Sequence, residues 1–121
     1  MEMKGSAILL RIFVGEGDRT DGKPLYEALV ERAKRAGLAG ATVFHGVVGF
    51  GATSRIHTAK VLRLSEDLPV VVEIVDRATA IRAFVRGLDA MMQGGMVTLE
   101  KVQVHLYRPM LPQKTRVRAR A

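Results

Sequence analysis

The chain has 121 residues, 48% of them hydrophobic, and a formal net charge of +7 at pH 7. This length suits one ordinary domain, and the hydrophobic content is enough for a compact core without metal or disulfide support. The absence of cysteine excludes disulfides, thiolate zinc sites and cysteine nucleophiles. An apolar run from Ala7 is interrupted at Arg11, too early for a signal peptide or a membrane helix, so we expect a soluble cytoplasmic protein.

The positive charge is concentrated at the carboxyl terminus. Residues 114–121 include four basic residues and no acidic one, so the rest of the chain is only mildly basic. Basic terminal segments of this kind are usually solvated tails. We therefore predict one domain over residues 1–110 and a disordered basic tail over residues 111–121. Nucleic acid is not the expected partner, although the tail keeps a basic nucleic-acid-binding module open as an alternative.

The first half of the chain predicts a strand, a helix, a second strand and a loop. Residues 6–14 form a nearly unbroken apolar run, typical of a strand that is covered on both faces. Pro24 suits the first turn of a helix whose apolar residues recur at helical spacing up to Ala36, and Gly37 is its stop signal. Residues 42–50 are again rich in β-formers. Residues 51–68 have no sustained period, so we predict a long polar loop, called loop 51–68 below.

The second half predicts a strand, a helix and a last strand. Residues 69–75 are apolar and β-branched, and Asp76 is placed to cap the helix that follows. The apolar stripe of this helix begins at Ile81 and ends before Gly94. The last strand, residues 96–107, changes the parity of its apolar positions, so we expect a bulge near Glu100.

This order of elements, βαββαβ, predicts an α+β ferredoxin-like fold, a four-stranded antiparallel sheet with two helices on one face. The first strand then lies between the third and the fourth. On the opposite face, called the open face below, Arg11 and Glu73 should be neighbours and partly buried. We expect the open face to carry these further residues: Leu9, Phe13, Val71, Val75, Gln103, His105 and Tyr107. Exposed apolar surface of this extent indicates a partner, so we predict that the protein self-associates through it.

Candidate binding residues cluster where the second predicted strand ends. Gly49 and Gly51 flank Phe50, and glycines at a strand end let backbone N–H groups approach an anion closely. Loop 51–68 adds positive charge just downstream, at Arg55, His57 and Lys60. Together these residues indicate an anionic ligand. Ordinary turn geometry for the glycines, and solvation of each loop side chain, remain the alternative explanation.

The sequence contains no recognisable catalytic constellation. Its serines lie outside any nucleophile-elbow setting, and no pair of carboxylates is placed by a motif in a predicted cleft. His45 and His105 fall on predicted strands without a further ligand at metal spacing, which favours packing over metal binding. We therefore predict a protein that is not an enzyme, with no catalytic residues and no metal site.

Several short motifs resemble those of the PII signal-transduction proteins. The segments 40–43 and 49–51, a long loop, and the segments 67–69 and 73–75 follow the PII order of second strand, T-loop and third strand. The similarity is closer still to the PII-like domain of unknown function 190 family. It rests on Gly15-Glu16 with Asp18-Arg19, on Lys23-Pro24-Leu25-Tyr26, on Gly40-Ala41-Thr42-Val43, and on Ser65-Glu66-Asp67-Leu68-Pro69. The resemblance runs from about Leu9 to Tyr107.

The resemblance implies a homotrimer with ligands, usually adenine nucleotides, in clefts between subunits. Thr42, Gly49, Phe50 and Gly51 take the places of PII residues that line this cleft. Arg108 stands near the end of the last strand, where PII carries paired arginines, and is our candidate for a further cation. The loop before the last strand, residues 93–96, is shorter than in PII. No resident cofactor is implied beyond an adenine nucleotide or another small anion as the ligand.

The resemblance also implies that loop 51–68 contacts a target protein. Members of this family accompany fluoride-channel-type membrane proteins, so a membrane transporter is the partner suggested by analogy. The CutA proteins share the architecture, and a structural or metal-tolerance trimer of that type stays open as an alternative function.

Overall fold

The structure, a computed structural model, describes residues 3–51, 57–58 and 68–110. Its strands are β1 (Met3–Gly15), β2 (Arg19–Thr20), β3 (Lys23–Pro24), β4 (Thr42–His45), β5 (Val48–Gly49), β6 (His57–Thr58), β7 (Pro69–Asp76) and β8 (Met96–Tyr107). Its helices are α1 (Leu25–Arg35) and α2 (Ala78–Arg86), and a short 3-10 turn (Leu88–Ala90) follows α2. None of the described helices is long and apolar enough to span a membrane.

The four long strands form one antiparallel sheet in the order β4–β7–β1–β8. The predicted first, third and fourth strands correspond to β1, β7 and β8. Strand β1 lies between β7 and β8, so its predicted position is confirmed. The ferredoxin-like βαββαβ fold is therefore confirmed as well. Two short hairpins, β2–β3 and β5–β6, form separate two-stranded sheets.

Both helices pack on one face of the sheet, because alternate residues of the two central strands are apolar on that side. The strand residues of this core are fully or almost fully buried: Leu10, Ile12, Val14, Val70, Val72 and Ile74. The helices contribute Leu25, Leu29, Ala33, Ile81 and Phe84, and Leu88 follows from the 3-10 turn. The intervening strand residues face the other way and form the open face, which no described element covers.

The start of α1 differs from the prediction in one respect. Asp21 and Gly22 have positive φ angles of 49° and 80° and form the two-residue turn of the β2–β3 hairpin. An Asp-Gly pair at this position is a strong hairpin signal, since both residues tolerate the left-handed conformation. The helix begins only after this hairpin, at Leu25. The helix ends at Arg35, just before the predicted stop signal Gly37, which has a φ of 78° and donates its N–H to the carbonyl of Lys34.

The expected bulge in the last strand lies further along the chain than predicted. Pairing between β1 and β8 is regular from Phe13–Met96 to Gly5–Val104, and the register shifts only after that, where Met3 lies opposite Tyr107. Gly5 absorbs the shift with a φ of 97°. Because Gln103 lies before the shift, opposite Ser6, strand alternation turns it away from the open face, contrary to our expectation.

Asp76 does not act as the predicted cap of α2. The N-cap is Arg77, which makes no side-chain capping hydrogen bond. The Asp76 carboxylate is 2% exposed and instead accepts the backbone N–H groups of Arg77 and Ala39, at 2.7 and 2.8 Å. It ties the segment before β4 to the end of β7, and these hydrogen bonds offset the cost of burying a charge.

Candidate functional site

The middle of the open face is a shallow depression of about 390 Å³, called the central depression below. It is lined by Arg11, Phe13, Phe44, Val71 and Glu73. The pairing of Phe44 with Val71 and of Val71 with Phe13 places the three apolar side chains side by side across three strands. The predicted apolar character of the open face is thus confirmed for Phe13 and Val71, and the structure adds Phe44.

Arg11 forms the charged centre of the open face. Its Nε lies 2.9 Å from Oε2 of Glu73, and its Nη1 lies 3.2 Å from Oε1 of Glu100. The hydrogen bond to Glu73 raises the pKa of Arg11 above its ordinary value. The predicted pairing of Arg11 with Glu73 is confirmed, and both side chains are partly buried in the single chain, at 38% and 31% exposure.

A second pocket of about 240 Å³ lies at the edge of the open face and is called the Thr42 pocket below. It is lined by Ala39, Gly40, Ala41, Thr42, Glu73, Val75 and Tyr107. Thr42 is placed there because it is the first residue of β4, opposite Glu73 of β7. The pocket therefore offers a hydroxyl, a carboxylate, backbone groups and an apolar valine within a small volume, a mixture typical of ligand pockets. Glu73 lines both this pocket and the central depression.

The other end of β4 leads into residues 46–51, called the loop base below because loop 51–68 follows from them. These residues pack around Pro69. Gly46 donates its N–H to the carbonyl of Pro69 at 2.7 Å. A Cβ atom on Gly49 would lie 2.7 Å from Cγ of Pro69, closer than side-chain atoms normally approach. On this side of the loop, packing against Pro69 is a sufficient physical reason for the glycine at position 49.

A polar contact reinforces this loop base. His45, the last residue of β4, has its Nδ1 3.4 Å from Oε2 of Glu16, and its ring packs edge-on against Tyr26 at 5.2 Å between centroids. Glu16 in turn donates its N–H to the carbonyl of Leu68. The turn after β1, the end of β4 and the start of β7 are thereby joined where the loop leaves and re-enters the domain.

Large apolar side chains of the loop base are exposed. Val47, Val48 and Phe50 are each more than half exposed, with Phe50 at 66%. Neighbouring exposed apolar residues of this size usually mark a contact surface rather than chance exposure.

The predicted site residues fall in separate places within one chain. Thr42 lines the Thr42 pocket, whereas the segment 49–51 lies at the loop base, beyond the other end of β4. Arg108 is exposed and directly follows Tyr107, which lines the Thr42 pocket. The backbone of His57 pairs with that of Gly49 in the β5–β6 hairpin. The side chains of His57, Arg55 and Lys60 lie outside the described residues.

Tyr107 and the segment 39–41 were not predicted to belong to a ligand site. Tyr107 was expected on the open face, but no local sequence pattern predicts its contact with Ala39, because the two residues are far apart along the chain. Glu73 was expected only as a partner of Arg11. Its position in the middle of an apolar run, Val70-Val71-Val72-Glu73-Ile74, is the one signal that could have indicated a second role.

Comparison with solved structures defines the class of the fold. The fold is similar to that of CPII, a nitrogen regulatory PII-like protein from Thiomonas intermedia K12, bound to ADP, AMP and bicarbonate, with a TM-score of 0.63 and 15% identity over 86% of this chain and 91% of CPII. It is also similar to Bacillus subtilis GlnK in complex with ATP, with a TM-score of 0.52 and 14% identity over 83% of this chain and 84% of GlnK. A third similar structure is that of the divalent ion tolerance protein CutA1 from Ehrlichia chaffeensis. It has a TM-score of 0.52 and 9% identity over 93% of this chain and 90% of CutA1. The chain therefore has the PII-like ferredoxin-type fold.

Sequence comparison gives the family. Residues 7–104 match the DUF190 family, whose description reads "Uncharacterized ACR". A UPF0166 protein of Aquifex aeolicus is 46% identical over 96 residues, which are 79% of this chain and 90% of the relative. A UPF0166 protein of Methanocaldococcus jannaschii is 31% identical over 103 residues, 84% of this chain and 93% of the relative. The protein belongs to the DUF190 family, as the motifs at residues 15–26, 40–43 and 65–69 had indicated.

Proposed function

We propose that this protein is a PII-like regulator that binds a small anionic ligand, with an adenine nucleotide as the leading candidate, and passes the signal to a target protein through loop 51–68. The observation that carries this proposal is the Thr42 pocket, because it combines hydrogen-bonding groups with apolar surface at the edge of the open face. CPII, which has the same fold, is bound to ADP and AMP. The proposal transfers that class of ligand to this chain.

The size of the Thr42 pocket supports a shared site. Pockets that hold a whole drug-sized ligand occupy roughly 300 to 1,000 Å³. At about 240 Å³, the Thr42 pocket suits one ring system rather than a complete nucleotide. We assign the base to this pocket and the phosphates to the backbone donors at Gly49 and Gly51, with Arg55, His57, Lys60 and Arg108 as cationic partners. Since Thr42 and the segment 49–51 are separated within one chain, a neighbouring copy completes each site.

A site shared between copies requires an oligomer, which we propose to be a homotrimer, and the open face supports such an assembly. The central depression exposes Phe44 and neighbouring apolar side chains around a charged pair that is only partly buried. A second and a third copy packed against the open face would remove this apolar surface from water. In this proposal loop 51–68 is the segment that contacts a target such as a membrane transporter.

Calorimetric titration of the purified protein with ADP, AMP, ATP, adenosine and inorganic phosphate tests the ligand. Thr42→Val removes one hydroxyl at constant shape and should weaken ADP and adenosine alike, by roughly 0.5 to 1.5 kcal/mol, as expected for one neutral hydrogen bond. Thr20→Val, in the remote β2–β3 hairpin, is the matched control and should leave binding unchanged. Absence of binding by all five compounds would contradict the proposal.

A second substitution separates the two halves of the site. Gly51→Val places a branched side chain where the phosphates are expected to approach the backbone. It should therefore weaken ADP strongly while leaving adenosine and the oligomeric state unchanged. Equal ADP affinity in the Gly51→Val variant and the parent protein would show that the phosphates bind elsewhere.

A further inference from the structure

The wall of the Thr42 pocket is held through the two backbone polar groups of a single residue, Ala39. The N–H of Ala39 donates to Oδ2 of Asp76 at 2.8 Å, and the carbonyl of Ala39 accepts the hydroxyl of Tyr107 at 3.2 Å. Asp76 is almost fully buried, so its hydrogen bond with Ala39 belongs to the core. Tyr107 is only half-buried and lies at the end of an edge strand, so its hydrogen bond with Ala39 can break without disturbing the core.

Tyr107 reaches the pocket because of the irregularity in β8. Between Val104 and Tyr107 the last strand advances three residues, while β1 advances only two, from Gly5 to Met3. A bulge of this kind re-aims the side chains that follow it. Among the described residues, and apart from its two chain neighbours, no atom lies within 4 Å of where a Cβ on Gly5 would be. The backbone conformation, with a φ of 97°, therefore favours glycine here, and a shortage of space does not. The bulge is thus what directs Tyr107 to Ala39.

We propose that Tyr107 is a positioning residue of the Thr42 pocket and that it couples the occupancy of this pocket to residues 105–110, which comprise the end of β8 and the three residues after it. This inference rests on the proposed function, because it concerns the same site. A ligand in the pocket lies against the segment 39–42 and against Tyr107, and it shields their hydrogen bond from water. Hydrogen bonds strengthen when water is excluded, so a filled pocket holds the end of β8 more firmly than an empty one.

Hydrogen exchange with mass spectrometry on the full-length protein tests the positioning role without any ligand. Tyr107→Phe keeps the ring and removes only the hydroxyl that Ala39 accepts. The amides of residues 39–42 should then exchange about fivefold faster, as expected for the loss of one net hydrogen bond. Tyr26→Phe is the matched control, since Tyr26 is the only other tyrosine and packs against His45 at the loop base. Unchanged exchange at residues 39–42 in Tyr107→Phe would overturn the positioning role.

Saturation with ADP tests the coupling. In the parent protein ADP should slow exchange both at residues 39–42 and at residues 105–110. In Tyr107→Phe it should still slow the first segment but no longer the second. Equal protection of residues 105–110 in both proteins would overturn the coupling. If ADP protects neither segment in the parent protein, the proposed ligand has failed and the coupling falls with it, while the ligand-free comparison still decides the positioning role.

Discussion

The two faces of the sheet are built from alternate residues of the same strands, yet they have opposite properties. On the helix-covered face, the central strand residues Leu10, Ile12 and Val72 are apolar and completely buried. On the open face, the adjacent residues Arg11 and Glu73 form an ion pair ringed by apolar side chains. The helix-covered face is buried within a single chain, whereas the open face exposes apolar side chains around a charged pair, as the proposed interface requires.

Because of this difference, folding of each chain and assembly of several chains should depend on different residues. Substitutions on the helix-covered face should act on the free energy of unfolding of each chain. Substitutions on the open face should act mainly on self-association and on the ligand site at its edge. Paired variants at adjacent positions of one strand can therefore test the comparison, since they differ only in the face that they change.

The largest effect is expected in the core. Leu10 is fully buried, so Leu10→Ala leaves a cavity and should lower the free energy of unfolding by about 3 kcal/mol, within the usual range of roughly 2 to 5. Leu9→Ala changes the next residue, which is only half-buried on the open face, and should cost clearly less. Urea denaturation at one fixed protein concentration measures both. Equal losses would mean that the two faces are not distinct in the folded chain.

The next effect concerns assembly. Val71→Asp places a charge in the central depression and should convert the proposed homotrimer to monomers, while the circular dichroism spectrum stays that of a folded chain. Val72→Asp, one residue further, buries the same charge in the core and should unfold the protein. Size-exclusion chromatography with light scattering at micromolar concentration gives the mass. A Val71→Asp protein with the mass of the parent would refute assembly through the open face.

A smaller effect is expected for the charged pair. Glu73→Gln removes the closer and less exposed carboxylate beside Arg11, whereas Glu100→Gln removes the one at 3.2 Å, which is 61% exposed. Association should weaken several-fold in Glu73→Gln and little in Glu100→Gln, because exposed ion pairs are screened by solvent. Dissociation constants from sedimentation at low and high salt provide the measurement. An equal response of the two variants would place Arg11 outside the interface.

The smallest effect is expected on the outer surface, which belongs to neither face. The hydrogen bond from Lys23 at 2.7 Å lowers the pKa of Glu31. A carboxyl group with a lowered pKa stabilises the fold above its unfolded-state pKa, about 4.3 for Glu, and loses this contribution as the pH falls through the folded-state pKa. Glu31→Gln should therefore lower the melting temperature slightly at pH 7, and by less as the pH falls below about 4.3. The control Glu27→Gln leaves the Lys23 contact intact, and a pH-independent effect of Glu31→Gln would contradict the assignment.

Local patterns allowed much of the fold to be predicted. The order of elements, the two helices and the pairing of Arg11 with Glu73 followed from periodicity and from the handedness of crossovers. The pair Asp21-Gly22 carries a local hairpin signal, but the prediction placed these residues at the opening of the helix. The bulge was expected near Glu100 because the apolar parity changes there, yet the backbone accommodates the shift at Gly5, where a glycine can adopt a positive φ.

By itself, therefore, the sequence determined the PII-like ferredoxin-type fold, the family and the existence of an apolar open face, because these depend on alternation and on short motifs. Tertiary structure alone decided that Tyr107 meets Ala39, that Glu73 borders two cavities and that Gly49 packs against Pro69. Such contacts join residues that are distant along the chain. They depend on strand register, on bulges and on packing, which act between elements and leave no trace in the local pattern of any one of them.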